Sequence, residues 1–322
     1  METITFTEDM YTNGLVLFAN WKAAETGVTM QTFDDTVSTY ASKPVGSVIA
    51  LKDERDNDVY AVAKLADGNW WMIENLRLDY DANITTSNTQ SNNGAWGGGF
   101  AGLAEPETTN FSDSTTPNSL YTTDTTSTDL RIITGSSQGY RFPRYNNINS
   151  ASRTANNTTS NTNVYSYGNY YTWSAAIADT GNYTTNNQSV SNTSICPSGW
   201  HLPKGGDKTN EANNEWWNLT VNGIMSGAAP ANYESSTTPY YTGTPEGSDD
   251  SKALRAYPNN LVYSGGYYSS SAYGRGTDGR YWSSTIDGPY GAYYENFGSA
   301  NVYPGTNSFS KYRGSTVRCL AD

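Results

Sequence analysis

The core of this chain must be built largely from aromatic side chains. The 322 residues include 26 Tyr, 9 Trp and 8 Phe, whereas hydrophobic residues make up 36% and charged residues 16%. Chains that cannot bury enough apolar area are poor in aromatic residues, so this chain is expected to fold. The rest is rich in Gly, Ser, Thr and Asn, which excludes a coiled coil. The composition favours a packed, loop-rich β protein of one large domain or two smaller ones.

Charge and hydropathy exclude two classes of partner. The 31 acidic residues outnumber the 19 basic ones, and the net charge is −12. Nucleic-acid binding depends on clustered Lys and Arg, so no nucleic acid is expected as a partner. The longest apolar run, Gly14–Trp21, has only the length of a strand, so no segment is expected to span a membrane. The first residues lack the pattern of an export signal, which we expect to have been removed or never to have existed.

The two cysteines, Cys196 and Cys319, leave three states open. A disulfide between them would close a loop of roughly 120 residues and stabilise the fold by about 4 to 5 kcal/mol if chain entropy dominates. Two free thiols are the second state. A metal site is the third, but these cysteines and the only histidine, His201, do not complete a tetrahedral zinc site without carboxylates.

The first 22 residues are interpreted as the end of a separate module. Gly14–Trp21 has no partner strand before it and resembles the closing strand of a Listeria–Bacteroides surface repeat. An edge strand of the main domain is the alternative. We therefore expect a strand remnant of an upstream repeat at 1–22 and one ligand-binding domain at 23–322. Within that domain, Asn, Thr, Ser and Gly replace hydrophobic periodicity at about 79–163, which predicts a loop-rich insertion.

A three-strand meander is predicted near the start of the domain. Ser47–Leu51 and Val59–Leu65 are β-rich runs joined by a charged turn. Asp67-Gly68 supplies the positive-φ residues that a tight hairpin turn needs, and Asn69–Glu74 returns as the third strand. Further along the chain, helices are predicted at 167–178 and 207–225, and three final strands at 280–285, 292–297 and 315–320.

Five blocks of sequence occur in the order seen in one bacterial family. The blocks are Asp56–Leu76, Tyr171–Trp173, Cys196–Pro203, Tyr281–Thr285 and Val317–Cys319. Together they resemble the Fibrobacter succinogenes major paralogous domain, and the version with Lys-Leu-Ala-Asp-Gly is similar to those of Saccharibacteria-like bacteria. The resemblance implies an α+β, C-type-lectin-like fold of the formylglycine-generating-enzyme type, with small antiparallel sheets, two short helices and long ordered loops. It also implies a secreted or surface-tethered protein.

Catalysis is not expected. A hydrolytic triad would have to use His201, which stands between Trp200 and Leu202 and is expected to pack in the core. Enzymes of the resembled fold use a cysteine pair, whereas the resemblance places Cys196 and Cys319 at structural positions.

No cofactor and no metal are expected either. The densest acidic cluster, which contains Asp53, Glu54, Asp56 and Asp58, is interpreted as a charged hairpin turn, with a calcium site as the alternative. The sugar-binding tripeptides of calcium-dependent lectins do not occur in the sequence.

The window Thr285–Tyr312 has the composition of a contact surface. In it, 15 of 28 residues are Tyr, Gly, Ser or Asn, and such side chains combine broad amphipathic area with adaptable hydrogen bonding. In retroelement-diversified members of the resembled fold this stretch carries the replaced residues, and Tyr293 and Tyr294 are expected to lie at its exposed centre. The alternative is an ordinary loop that is rich in Tyr and Asn only because the whole chain is. Related sequences usually place an apolar residue where Glu295 stands, so the strand register there stays open. The resemblance implies variable, ligand-binding positions at Ile286, Asp287, Tyr290, Tyr293, Tyr294, Asn296, Asn301, Tyr303, Asn307, Phe309, Lys311 and Tyr312.

These observations predict a surface-displayed or secreted module that binds an unknown protein or glycan on another cell. The binder is expected to be a monomer. The alternative is a structural adhesin or appendage component of the same fold, which would assemble with its own kind through apolar patches.

Overall fold

The computed structural model describes residues 24–78, 84–90, 132–133, 168, 170–171, 173–178, 193–206, 213–225, 241–242, 253–268, 271–274, 277–288, 291–298, 301–311 and 313–322. The predicted remnant at 1–22 and nearly all of the predicted insertion at 79–163 lie outside these residues. The described part is mixed α+β, with small antiparallel sheets and a few short helices.

Short strands carry most of the regular structure. In chain order they are β1 (Val48–Lys52), β2 (Val59–Lys64), β3 (Trp70–Met72), β4 (Ile132–Ile133), β5 (Tyr170–Tyr171), β6 (Trp200–His201), β7 (Tyr241–Thr242), β8 (Gly266–Tyr268), β9 (Ser271–Tyr273), β10 (Asp278–Asp287), β11 (Gly291–Gly298), β12 (Asn301–Ser310) and β13 (Leu320–Ala321). The α-helical turns are α1 (Ser38–Ala41), α2 (Trp173–Ala176) and α3 (Glu215–Trp217).

The first sheet confirms the predicted meander. Its strand order is β1-β2-β3-β13-β6, and its neighbours pair antiparallel. Gly68 turns the chain between β2 and β3 with φ of +86°, a conformation that glycine adopts without steric cost. β13 lies between β3 and β6, so the strand nearest the carboxyl end completes a sheet that begins at residue 48.

The second sheet has the order β10-β11-β12-β7 and contains most of the window 285–312. The strands predicted at 280–285 and 292–297 are confirmed within β10 and β11. The strand predicted at 315–320 is wrong for most of its length, because regular pairing is limited to Leu320–Ala321. The sequence prediction missed β12, since Pro304 and Gly305 interrupt its alternation.

The predicted helices are confirmed in part. Among the described residues of the segment 167–178, Trp173–Ala176 is helical and Tyr170–Tyr171 is a strand instead. In the second predicted helix, α3 continues into a π-helical segment, Asn218–Ile224. Its cap is Asn214, whose side chain accepts a hydrogen bond from the Trp217 N–H at 2.9 Å.

Two aromatic clusters form the core. The first contains Trp70, Trp200 and Trp282, and the second contains Trp71 and Trp216. All five are at most 1% exposed. The prediction of an aromatic core is confirmed, and it includes Trp173, which is fully buried.

Arginines neutralise the acidic turn after β1. Asp53 Oδ2 lies 2.7 Å from Arg55 Nη2, and both side chains are fully buried. Burial by itself would raise the pKa of Asp53, but the Arg55 guanidinium outweighs it and holds that pKa below its ordinary value. Asp58 Oδ2 lies 2.8 Å from Arg77 Nε. These carboxylates therefore stabilise the hairpin through arginine partners.

The cysteines form a disulfide. Cys196 and Cys319 are joined across 123 residues of sequence, and both are fully buried. The bond fastens the segment before β6 to the segment before β13. No helix in the described ranges is long and apolar enough to cross a bilayer.

Exchange of both cysteines for serine is expected to lower the free energy of unfolding by about 4 to 5 kcal/mol, because the bond restricts a long loop of the unfolded chain. Chemical denaturation of the oxidised wild type and of the double variant measures the difference. A reductant is expected to lower the stability of the wild type and to leave the variant unchanged. Equal stability of the two oxidised proteins would contradict a structural role for the bond.

Candidate ligand-binding site

One face of the second sheet combines buried aromatic rings with half-buried polar groups. Residues directly opposite each other in antiparallel strands point to the same side of a sheet. Trp282 lies opposite Tyr294, which lies opposite Asn307, while Arg280 lies opposite Asn296, which lies opposite Tyr303. These six residues and Phe309, which contacts Tyr294, define what we call the β10–β12 face.

One end of this face belongs to the core. The ring centroids of Tyr294 and Phe309 are 5.1 Å apart, and those of Trp282 and Phe309 are 5.9 Å apart. The Trp282 Nε1 donates a hydrogen bond of 2.7 Å to the Tyr171 carbonyl. Aromatic pairs at these distances pack favourably. These contacts therefore hold this end of the sheet against the aromatic core.

At the other end of the face, two arginine side chains pack against aromatic rings. The guanidinium carbon of Arg280 lies 5.0 Å from the centroid of Tyr273 and 5.2 Å from that of Phe309. The guanidinium carbon of Arg313 lies 4.6 Å from the Phe309 centroid. A cation over an aromatic face at such distances is attracted by the ring quadrupole. We call Tyr273, Arg280, Tyr294, Phe309 and Arg313 the arginine–aromatic cluster.

The cluster reaches the surface through half-buried groups. Tyr273, Tyr303, Asn307 and Phe309 are all partly accessible. The Asn307 Nδ2 donates to the Tyr294 hydroxyl at 3.3 Å, so the polar tip of the buried Tyr294 supports Asn307 from beneath this surface. Burial raises the pKa of the Tyr294 hydroxyl, which therefore stays protonated at neutral pH.

The structure separates the predicted ligand-binding positions into two groups. Those that are at least nine-tenths buried are Ile286, Tyr293, Tyr294, Asn296 and Lys311. Those that are partly accessible are Asp287, Asn301, Tyr303, Asn307 and Phe309. Tyr290 and Tyr312 lie outside the described residues.

The expectation that Tyr293 and Tyr294 form an exposed centre is wrong. Tyr293 is 4% exposed and Tyr294 is 3% exposed. Neighbouring residues of a strand point to opposite faces, so these two tyrosines cannot belong to one surface. Tyr294 packs between Trp282 and Phe309 instead.

Lys311 is a buried residue of the scaffold. Its Nζ donates to the Gly288 carbonyl at 3.1 Å and lies 4.9 Å from the centroid of Trp173. Burial lowers its pKa to about 7, and the nearby Asp287 offsets part of that shift. The amine therefore fixes the loop after β10.

Glu295 settles the register that the sequence left open. A single residue of β11, Glu295, faces three residues of β12 between the pairs Tyr294–Asn307 and Asn296–Tyr303. The Gly305 N–H donates to Glu295 Oε2 at 2.7 Å. Gly305 has φ of +68°, and a Cβ there would lie 2.7 Å from Trp216 Cβ. The carboxyl group thus accepts the hydrogen bond that a backbone carbonyl of the neighbouring strand would accept in a regular sheet. The register shift at this point is a β-bulge, and it sets the positions of Tyr303 and Asn307.

His201 is half-buried rather than part of the core, and both of its ring nitrogens face carboxylates. Nδ1 lies 2.6 Å from Asp322 Oδ1, and Nε2 lies 3.1 Å from Glu215 Oε2. Burial would lower its pKa, but these partners outweigh burial and raise the pKa to about 9. A protonated imidazole with both nitrogens engaged does not serve as a general base. In the described ranges, no group of three or more His, Cys, Asp or Glu side chains is placed to hold a metal ion.

The sequence did not identify Tyr273, Arg280 or Arg313 as site residues. They come from three separate segments, β9, β10 and the chain after β12, and they meet only through side-chain contacts of the tertiary fold. The alternation of β10 placed Arg280 in a strand, but no local pattern indicated which rings it would contact.

Glutamine at position 295 is expected to remove one component of the pH dependence of stability. Burial raises the pKa of Glu295 well above its ordinary value of 4.5, so its contribution to folding is full below that pH and is lost as the pH rises. Glu295→Gln keeps an acceptor for Gly305 and does not ionise. Thermal melts at about pH 4.5 and about pH 8 are expected to show a smaller decrease for the variant than for the wild type.

Glu295→Leu is the matched control, because it also removes the acceptor. It is expected to cost about 1 to 3 kcal/mol, the usual penalty for leaving a buried N–H unsatisfied. Identical pH profiles for the wild type and Glu295→Gln would show that Glu295 is not buried as a neutral acid.

Glutamine at position 201 is expected to remove stability that the wild type has at neutral pH. The folded-state pKa of His201, about 9, exceeds the ordinary value of 6.5, so the imidazolium contributes fully below 6.5 and the contribution is lost as the pH rises through 9. Melts of both proteins at about pH 6 and about pH 10 are expected to differ more at the lower pH. A constant difference would contradict a charged His201.

No protein-family model, no curated protein and no solved structure matches the chain.

Proposed function

We propose that this chain is a surface-displayed or secreted ligand-binding protein, and that its contact surface is the accessible part of the β10–β12 face with the arginine–aromatic cluster. One observation carries the proposal. Tyr303, Asn307 and Phe309 are partly accessible on one strand, beside two arginines that are held against aromatic rings.

The chemistry of this surface suits macromolecular recognition. Tyrosine offers broad amphipathic area with few torsions to freeze, and asparagine adapts its hydrogen bonds. Tyrosine and arginine are also enriched among the residues that dominate binding energies at protein interfaces. A half-buried surface with both residue types therefore supports binding.

Buried hydrogen bonds hold the scaffold beneath the surface. Trp282 anchors the face from below through its hydrogen bond to the Tyr171 carbonyl, and Glu295 holds the β12 bulge through Gly305. Contact residues on supported strands keep their geometry better than residues on loops. This arrangement supports a binding role for Tyr303 and Asn307.

We further propose membership of the Fibrobacter succinogenes major paralogous domain family, with a C-type-lectin-like fold and a face diversified by a retroelement. The order of the five sequence blocks supports this assignment. Two of the blocks meet in the disulfide between Cys196 and Cys319. Disulfides persist in oxidising compartments, which supports an extracellular or cell-surface location.

A monomeric binder is favoured over a self-assembling appendage component. The large apolar side chains exposed in the described part of the chain are Val37, Val45 and Tyr257. Oligomer interfaces need larger contiguous apolar patches than three side chains provide.

Alanine at Tyr303 is expected to weaken retention of the labelled protein on a panel of bacterial cells and arrayed cell-surface glycans and proteins. A tyrosine at the centre of an interface contributes about 2 kcal/mol or more, which corresponds to roughly thirtyfold in affinity. Thermal stability is expected to change little, because Tyr303 is partly accessible. Fluorescence binding measures the first effect and a thermal melt the second.

Tyr257→Ala provides the control, since Tyr257 is 52% exposed and lies outside the β10–β12 face. This variant is expected to bind like the wild type. If Tyr303→Ala retains full binding, or if Tyr257→Ala loses as much as Tyr303→Ala, the proposed contact surface is wrong.

A further inference from the structure

The guanidinium of Arg280 has few acceptors within the described residues. A guanidinium carries five N–H donors. Its Nη1 lies 3.4 Å from the Tyr294 hydroxyl, a long hydrogen bond. Its Nε is buried and has no hydrogen-bond partner among the described residues. The Arg280 side chain is 16% exposed, so its Nη groups, rather than the buried Nε, keep donor capacity for an oxygen that comes from outside the chain.

Asp278 neutralises Arg280 only weakly. Asp278 Oδ2 lies 4.0 Å from Arg280 Nη2, and the Asp278 side chain is 36% exposed. The same oxygen accepts a hydrogen bond from Thr277 Oγ1 at 3.2 Å. Solvent screens an ion pair of this length and exposure, so it contributes little.

Arg313 adds a second positive charge at the same place. Its guanidinium and that of Arg280 contact the same Phe309 ring, so the two charges lie within about 10 Å of each other. Arg313 also lies near Tyr273, whose pKa burial raises and the two arginines partly lower. The rings therefore hold two like charges together at one edge of the face.

The net charge of −12 does not cancel this local field. Salt at physiological concentration screens exposed charges beyond about 8 Å. Among the described residues, the charged groups whose contacts place them at the cluster are Arg280, Arg313 and Asp278, so two positive charges face one weakly paired negative charge there.

Resting on the proposed function, we propose that the arginine–aromatic cluster binds carboxylate groups of an acidic segment in a polypeptide ligand. The planar guanidinium fork matches a carboxylate through two parallel hydrogen bonds. Arginine clusters read acidic motifs in peptides. The adjoining Tyr303, Asn307 and Phe309 supply the mixed polar and aromatic contacts with which paratopes bind proteins.

The test uses the full chain and two labelled peptides of alternating residues, one Glu-Gly and one Gln-Gly. Fluorescence anisotropy is expected to show about tenfold tighter binding of the Glu peptide, because a hydrogen bond to a charged group contributes that much. Arg280→Gln is expected to reduce binding of the Glu peptide to the level of the Gln peptide. Equal binding of the two peptides by the wild type would overturn the proposal.

Arg255→Gln is the matched control, since Arg255 is exposed and lies 4.5 Å from the ring centroid of Tyr263, outside the cluster. This variant is expected to bind the Glu peptide like the wild type. Equal losses in Arg255→Gln and Arg280→Gln would show a diffuse charge effect and would overturn the proposal.

Asp278→Lys serves if a thermal melt shows that Arg280→Gln does not fold. This variant keeps Arg280 and replaces the negative charge at the cluster by a positive one at a side chain that is 36% exposed, so the Glu peptide is expected to bind several-fold more tightly while the Gln peptide is unaffected. Unchanged affinity of Asp278→Lys for the Glu peptide would then reject carboxylate recognition at the cluster.

Polygalacturonate is the second probe. If it binds in an Arg280-dependent manner while the Glu peptide does not, the ligand is an acidic polysaccharide and the polypeptide assignment is wrong. If neither probe binds while Tyr303→Ala still weakens retention on the cell and ligand panel, the face binds an uncharged ligand. The proposed function then stands and this inference fails.

Discussion

The alternation of aromatic side chains on two strands is the constraint on which the structure depends. β3 places Trp70 in one core cluster and Trp71 in the other, and β10 does the same with Trp282 and Tyr281. Consecutive residues of a strand point to opposite faces, so each strand contributes to both clusters. The two sheets are therefore coupled through the same two cores, and a shift of either strand by one residue would exchange its rings between them.

Local patterns in the sequence predicted the parts of the fold that local chemistry determines. The meander around Gly68 and the buried Trp200 followed from β-rich runs, a turn dipeptide and a large aromatic side chain. The faces of Tyr293 and Tyr294 did not follow, because a run of tyrosines has no polar alternation that marks its exposed side. The partners of Arg280 could not be predicted either, since Tyr273 and Phe309 reach it only through tertiary pairing.

Glu295 connects the interior to the surface. A buried carboxyl group that accepts from the Gly305 N–H specifies one bulge and excludes a regular ladder at this point. An apolar side chain would pack without any such preference. Polar groups in a core often specify one backbone arrangement at a cost in stability. Here Glu295 specifies the β12 bulge, which separates Tyr303 from Asn307.

The place of β13 within the first sheet bears on how the chain is made. Leu320 pairs with Trp71, a partner about 250 positions earlier, and β6 joins the sheet only through β13. Contacts between such distant residues form slowly, because a long loop has to close first. The sheet therefore cannot be completed before the segment that contains Leu320 has been synthesised. Until then β6 has no neighbour to pair with in this sheet, and Cys196 has no partner for its disulfide.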